Sequence, residues 1–330
     1  MRRSSVVFFI LAFTLEVLAQ TPYKLPPKEV VDILDSPPTP SVVVSPRRDA
    51  MLLVDYRPHP SIALLARPIL RLGGLRIDPQ SHAQQRTIQY TAITVKWFDN
   101  NKSVKIALPS KTAIGFPSWS YDGKKIAFAR DAENGVELWI ADPSTGKASV
   151  LRGFFLTDIL DASFQWMGDN TNLLVHVIPK GRGKAPETPK VPIGPIIDET
   201  SGRVSRMATF QDLLKNPDDE NLFEYYATSQ LAIVNSKTGA AKGIGKPGMY
   251  SSAEFSPDGK HLLVTRITRP FSYRVPYFYF TRLIEVWDTT GALIKTIAQL
   301  PVSDEVPQQG VPAGPRSVQW QPLHDAKLLW

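Results

Sequence analysis

Fifteen residues gather the side chains best able to hold a charged ligand: TRPFSYRVPYFYFTR, from Thr268 to Arg282, contains two prolines, six aromatic rings and three arginines. Guanidinium forks bind carboxylates through paired hydrogen bonds, and neighbouring rings supply apolar walls. Rings at this density do not stay in water, so the segment must pack on the protein itself or on a partner or ligand. The chemistry on offer is recognition, not bond breaking.

Reactive groups are missing elsewhere. No GxSxG nucleophile elbow, Walker-type phosphate loop, GxGxxG fingerprint or HExxH zinc helix occurs in the chain. Gly243, Gly245 and Gly248 are separated by lysine and proline and read as a loop. His59, His82, His176, His261 and His324 lack metal-ligand spacing, and His176 and His261 read as structural. Asp122 and Asp258 each precede glycine in a hairpin, where turn formation accounts for them. With no cysteine there is no disulfide, thiolate nucleophile or cysteine-bound zinc. No catalytic residue, metal ligand or cofactor is therefore expected. The basic run KGRGK, Lys180 to Lys184, lacks interleaved aromatics, and the net charge of +7 reads as a solvated basic surface, so no nucleic-acid partner is expected.

The elements that position the Arg-aromatic segment are announced by a phrase written twice, WSYDGKKIAF from Trp119 and FSPDGKHLLV from Phe255. Looser copies run from Val44 (VSPRRDAMLLV), Trp166 (WMGDNTNLLV) and Trp320 (WQPLHDAKLLW). A bulky apolar residue, a polar turn and an apolar strand make a hairpin. Between copies stand strand-turn phrases: TVKWFDNNKSVK from Thr94, ELWIADPSTGKASVL from Glu137, QLAIVNSKTGAAKGI from Gln230 and IEVWDTTGALIKTI from Ile284. Each pair of phrases makes four antiparallel strands, the content of one propeller blade. The fold class is all-β, a partial β-propeller with a small helical and Pro-rich insertion.

Unequal spacing of the hairpins requires insertions, the longest at 179–228. Its proline-rich start, PKGRGKAPETPKVPIGP, cannot form a central strand. Farther on, Thr209 and Asp212 are spaced like a capping box, and Asn216 with Pro217 and three acids opens a second helix. At the N-terminus, Arg2 and Arg3 precede an apolar run from Val6 to Leu18 that is shorter than a membrane span and contains Glu16. This reads as a signal peptide over 1–19, and export to the periplasm or medium is expected. A Pro-rich lead over 20–41 follows, with a short helix around Lys28 to Leu34, and then an incomplete propeller over 42–330, about four to five blades.

Longer strings resemble secreted serine peptidases of the prolyl oligopeptidase family, in the branch of glutamyl endopeptidases and acylaminoacyl peptidases. They are YKLPP at Tyr23, LDSPPTP at Leu34, MLLVDY at Met51, LRLGGLRIDP at Leu70, QDLLKNP at Gln211, LFEYYATSQL at Leu222, RPFSYRVPY at Arg269 and GPRSVQW at Gly314. The resemblance implies an N-terminal propeller that filters peptide substrates for a C-terminal α/β-hydrolase domain, absent before the chain stops at Trp330. Alone, the chain is expected to be inert. Under this resemblance Arg269, Tyr273 and Arg274 are the residues expected to face a peptide, an arginine taking a substrate carboxylate. Exposed blade edges predict self-association. A non-enzymatic periplasmic scaffold and a non-functional truncated product are the alternatives.

Overall fold

The computed structural model describes residues 24–109, 113–132, 134–160, 162–187, 209–307 and 310–330, so the leader expected at 1–19 lies outside the described residues. Contacts divide the chain into two units, Met1–Pro38 and Thr39–Trp330. In the first, helix α1 (Lys28–Leu34) spans the residues that the sequence predicts.

The second unit is built of antiparallel blades. Blade one opens with β1 (Ser41–Val44) and β2 (Ala50–Arg57). An insertion follows, with helix α2 (Ile62–Leu65) and a small sheet of β3 (Leu70–Leu72), β4 (Leu75–Asp78) and β5 (Ala83–Gln84). Strands β6 (Gln89–Trp97) and β7 (Ser103–Lys105) complete the blade. Blade two is β8 (Ser118–Trp119), β9 (Ile126–Ala132), β10 (Gly135–Ala141) and β11 (Ala148–Leu156). Blade three is β12 (Phe164–Trp166), β13 (Asn172–Val177), then helix α3 (Pro217–Ala227), β14 (Ser229–Asn235) and the first half of β15 (Ala241–Phe255). The second half of β15 opens blade four, with β16 (His261–Ile267), β17 (Arg282–Asp288) and β18 (Leu293–Leu300). Strands β19 (Gln319–Trp320) and β20 (Leu328–Leu329) pair as one further hairpin. The fold is a partial β-propeller, and among the described residues no pairing joins β1 to β20.

Two local expectations are corrected. Gly243, Gly245 and Gly248 lie in a strand, because β15 serves two blades, pairing with β14 up to Gly248 and with β16 from Met249. Gly245 and Gly291 permit a close approach here, since a Cβ on Gly291 would sit 2.2 Å from the Gly245 nitrogen. The capping box at Thr209 does not form a helix. Asp212 turns left-handed at φ 59 and its carboxylate is taken by Arg76 Nε at 2.9 Å. The second predicted helix does form, with Asn216 Oδ1 accepting the Asp219 N–H at 2.9 Å.

All five hairpin copies close the same way. Ser45, Ser120, Met167, Ser256 and Gln321 donate their N–H to Ala50, Lys125, Asn172, His261 and Lys327 carbonyls. A serine hydroxyl holds the turn aspartate in three copies: Ser45 to Asp49 at 2.6 Å, Ser120 to Asp122 at 2.7 Å and Ser256 to Asp258 at 2.5 Å. The Ser256 hydroxyl and the Lys260 N–H hold the Asp258 carboxyl below its ordinary range, which fits a turn former.

Each apolar cluster of the array lies between two blades. Leu52, Val54, Ile93 and Val95 of blade one meet Trp119, Ile126 and Phe128 of blade two. Leu138 and Leu151 meet Trp166, Leu173 and Val175 of blade three, and Leu174 and Leu231 meet Leu262, Val264 and Trp287 of blade four. Ile284, Val286 and Leu300 cover Trp320 of the last hairpin. Indole N–H groups fix the stacking. Trp119 Nε1 donates to Val43 O at 3.2 Å, Trp166 Nε1 to Ser118 O at 3.2 Å and Trp320 Nε1 to Glu254 O at 3.0 Å. Each acceptor stands one residue before the preceding blade's own hairpin phrase. Blade four carries Phe255 at the tryptophan position, and a different donor serves there: the Gln165 side chain reaches Ala253 O.

Replacing Trp166 by phenylalanine leaves the Ser118 carbonyl without its donor at a buried seam, with an expected cost of about 1 kcal/mol in urea unfolding. Alanine there also empties the seam and costs about 3–5 kcal/mol. A phenylalanine variant as stable as the parent would remove the hydrogen bond from this account.

Candidate functional site

Because strands alternate in direction, every connection from the second to the third strand of a blade leaves at the same end. Blades one, three and four carry insertions there, whereas β10 follows β9 directly. The three insertions meet in one cluster: Leu72, Leu75 and Ile77 from the first, Leu214, Leu222 and Phe223 from the second, Val275 and Phe280 from the third. Phe223 stands edge-on to Phe271 and Phe280, with centroids 5.4 and 5.6 Å away. The Gly73–Gly74 turn between β3 and β4 joins all three. Gly73 O accepts the Tyr277 N–H at 2.8 Å, Gly74 N donates to Asp212 O at 2.8 Å, and Gly73 lies against Phe223. A Cβ on Gly74, which sits at φ 84, would stand 2.5 Å from Pro276 Cβ.

Polar contacts fasten the cap. Arg182, from the basic run, donates to Tyr225 O at 3.1 Å and to His82 Nδ1 at 3.0 Å and lies 4.1 Å over the Tyr225 ring. Burial, and then the Arg182 charge, lower the pKa of His82 to about 4, so it accepts as a neutral ring. Burial alone brings His176 to about 4, where it meets Ser229 Oγ at 3.3 Å.

The sequence-selected trio lies on this cap. Arg269 Nε donates to Glu224 at 2.9 Å, Nη1 to Glu220 and Nη2 to Asn221 at 3.1 Å, all on α3, with the guanidinium 4.8 Å over Phe271. Burial works against its charge, but Glu224 and Glu220 outweigh that and raise its pKa. Tyr273 is exposed, and burial together with a hydrogen bond to Glu220 raises its phenol. Arg269 and Tyr273 thus share Glu220. Arg274 turns elsewhere, donating to Glu305 at 2.9 Å with Asp304 at 3.9 Å.

Composition singled out the segment but could not divide its arginines. The third, Arg282, begins β17 and has no ion pair among the described residues. Two clefts open at this end of the blades. One, of about 780 Å³, is lined by Arg57, Arg67, Lys105 and Asp131, and burial raises the Asp131 pKa. The other, of about 420 Å³, borders Arg282, Tyr277 and Phe278. Among the described residues no cluster of three or more acids and histidines could hold a metal ion.

Repeated four-stranded antiparallel blades, stacked face to face, place the chain among β-propellers. Over 93% of its length it is 40% identical to the rice (Oryza sativa subsp. japonica) protein named "Probable glutamyl endopeptidase, chloroplastic". Over 96% of its length it is 39% identical to the Arabidopsis thaliana protein of the same name. The chain spans 34% of the length of each of these relatives. No family model matches it. Pyrococcus horikoshii acylaminoacyl peptidase is 15% identical at a TM-score of 0.45, covering 82% of this chain and 33% of that one. The propeller domain of the Trilobed protease from Pyrococcus furiosus is 14% identical at 0.40, covering 80% and 58%. These scores mark a loose likeness of fold. Over nearly all of its length the chain is thus related to about a third of the proteins named glutamyl endopeptidase, and its own fold in that stretch is a partial β-propeller.

Neutral buried histidines make stability pH-dependent. The unfolded chain takes up protons near pH 6.5 while folded His82 and His176 resist until about 4. More protons bind the unfolded state in that window, so stability is full above it and is lost as pH falls from about 6.5 towards 4. Urea unfolding across this range is expected to show a shallower slope for His82→Gln than for the parent; identical slopes would contradict the neutral assignment.

Proposed function

We propose that this chain is the substrate-gating propeller portion of an exported serine peptidase, acting on peptides together with an α/β-hydrolase domain. The observation that carries the reading is the 40% identity to a glutamyl endopeptidase over 93% of the chain. The convergence of three insertions on one end of the blades adds a rim of shape and charge where peptides could be selected. Without GxSxG in its sequence, the chain by itself is expected to hydrolyse nothing. Export to the periplasm or medium is supported by Arg2 and Arg3 before the apolar run from Val6 to Leu18.

Within this reading Tyr273, exposed like Arg269 and Arg274 but engaged in no ion pair, is the member of the trio expected to touch a peptide. Arg269 and Arg274 hold the rim, and direct contact with a substrate carboxylate would require them to exchange Glu220, Glu224 or Glu305 for it. Exposed Val42 and Val44 on β1, and Leu323, Leu329 and Trp330 on the last hairpin, offer apolar faces for association.

A chimaera in which this chain replaces the matched third of the rice protein tests the gate. Cleavage of short peptides with sparing of folded proteins is expected; a folded chimaera that cleaves both alike contradicts gating. Sedimentation of the chain alone is expected to show dimers or larger species. A compact monomer at micromolar concentration would overturn association through the exposed faces.

A further inference from the structure

The three arginines of the Thr268–Arg282 segment differ in what answers their charge. Glu220 and Glu224 hold Arg269, and Glu305 with Asp304 holds Arg274. Arg282 is half-buried, its Nε is sealed from solvent without a hydrogen-bond partner, and burial lowers its pKa. A guanidinium does not escape this situation by losing its proton, because it stays charged at any physiological pH. Leaving it half-buried and unpaired is unfavourable, and an anion that reaches it relieves the cost.

The surroundings suit one kind of anion. Arg282 shares its face of β17 with Ile284 and Val286, and the cleft beside it holds about 420 Å³. Exposed Arg316 is a second cation on its wall, Ser251, Ser252, Thr265, Ser303 and Ser317 bring hydroxyls, and among the described residues no acidic side chain lines it. Tyr277 supplies an aromatic wall. A fork, a second positive charge, hydroxyl donors and an apolar wall together match a carboxylate carried on a short methylene stem.

We propose that this cleft is a carboxylate pocket for an acidic peptide side chain, with Arg282 as its fork and Arg316 as its second cation. The assignment rests on the peptidase reading above and locates acid recognition in the propeller, at a residue other than Arg269 and Arg274.

Calorimetric titration of the full chain with acetyl-Ala-Glu-Ala-amide, its Gln counterpart and inorganic phosphate tests it. The Glu peptide is expected to bind at least about tenfold tighter than the Gln peptide, with phosphate a weak competitor, as a bidentate charge-assisted contact implies. Arg282→Gln abolishes that preference, Arg282→Lys keeps part of it, and Arg269→Gln leaves it intact. Thermal unfolding of Arg282→Gln is expected to match or exceed the parent, since an unpaired buried charge is removed. Should that variant not fold, Arg316→Gln, altered at an exposed position, reads the same preference. Equal affinity for both peptides, a preference lost only with Arg269→Gln, or phosphate binding tighter than the Glu peptide overturns the pocket. Those outcomes leave the gating chimaera standing, and an inactive chimaera leaves a measured Glu preference standing, so the two readings fail separately.

Discussion

A propeller blade has two apolar faces and can bury neither alone, so every blade depends on how its neighbour is seated. Here the seat is fixed by the first strand's tryptophan, whose ring fills the seam while its N–H finds the carbonyl just before the previous blade's hairpin. Apolar packing supplies the energy but has no direction; the indole hydrogen bond sets height and register. Where Phe255 cannot donate, Gln165 crosses the same seam from the other side. Each of these seams therefore carries a side-chain donor to a backbone carbonyl of the facing blade, although at this one the accepting carbonyl, Ala253 O, belongs to the following blade and not to the preceding one.

A second repeated device works inside the blades. Arg130, Glu137 and Trp139 in blade two, and Arg266, Glu285 and Trp287 in blade four, form matching sets in which the glutamate accepts from both the arginine and the indole N–H. A largely buried carboxylate is tolerable because its oxygens are answered. With the turns and the third strands thus committed to structure, variation is left to the end where second strands hand over to third strands. There the insertions of blades one, three and four meet, and there the charged clefts open.

What the sequence could reveal follows the range of each interaction. The hairpin phrases, α1 and the Asn216–Pro217 helix start were legible because their bonds span six positions or fewer. The failed capping box at Thr209 was not, because Asp212 is claimed by Arg76, 136 positions earlier. Leu138 and Ile140 alternate with Glu137 and Trp139 as in a half-solvated strand, yet Leu138 packs on one seam and Trp139 on another. Alternation there distinguishes two neighbours, not core from water. The glycines at Gly243 to Gly248 look like a loop for the same reason: their strand character comes from β14 pairing and from the next blade's turn.

The Arg-aromatic segment shows the limit most clearly. Composition places three arginines among six rings, and nothing local separates them. Their partners lie 45 to 49 positions away on α3 for Arg269 and 31 positions away for Arg274. Folding therefore assigns the segment's charges: two arginines become fasteners that hold the aromatic loop to its surroundings, and their acids are used up in doing so. Arg282 follows directly on that loop but belongs to β17, whose pairing with Ile267 and Leu300 fixes its backbone on both sides. A side chain rooted in a paired strand is a steadier place for a binding charge than one on a loop, and among the described residues this arginine has no ion pair.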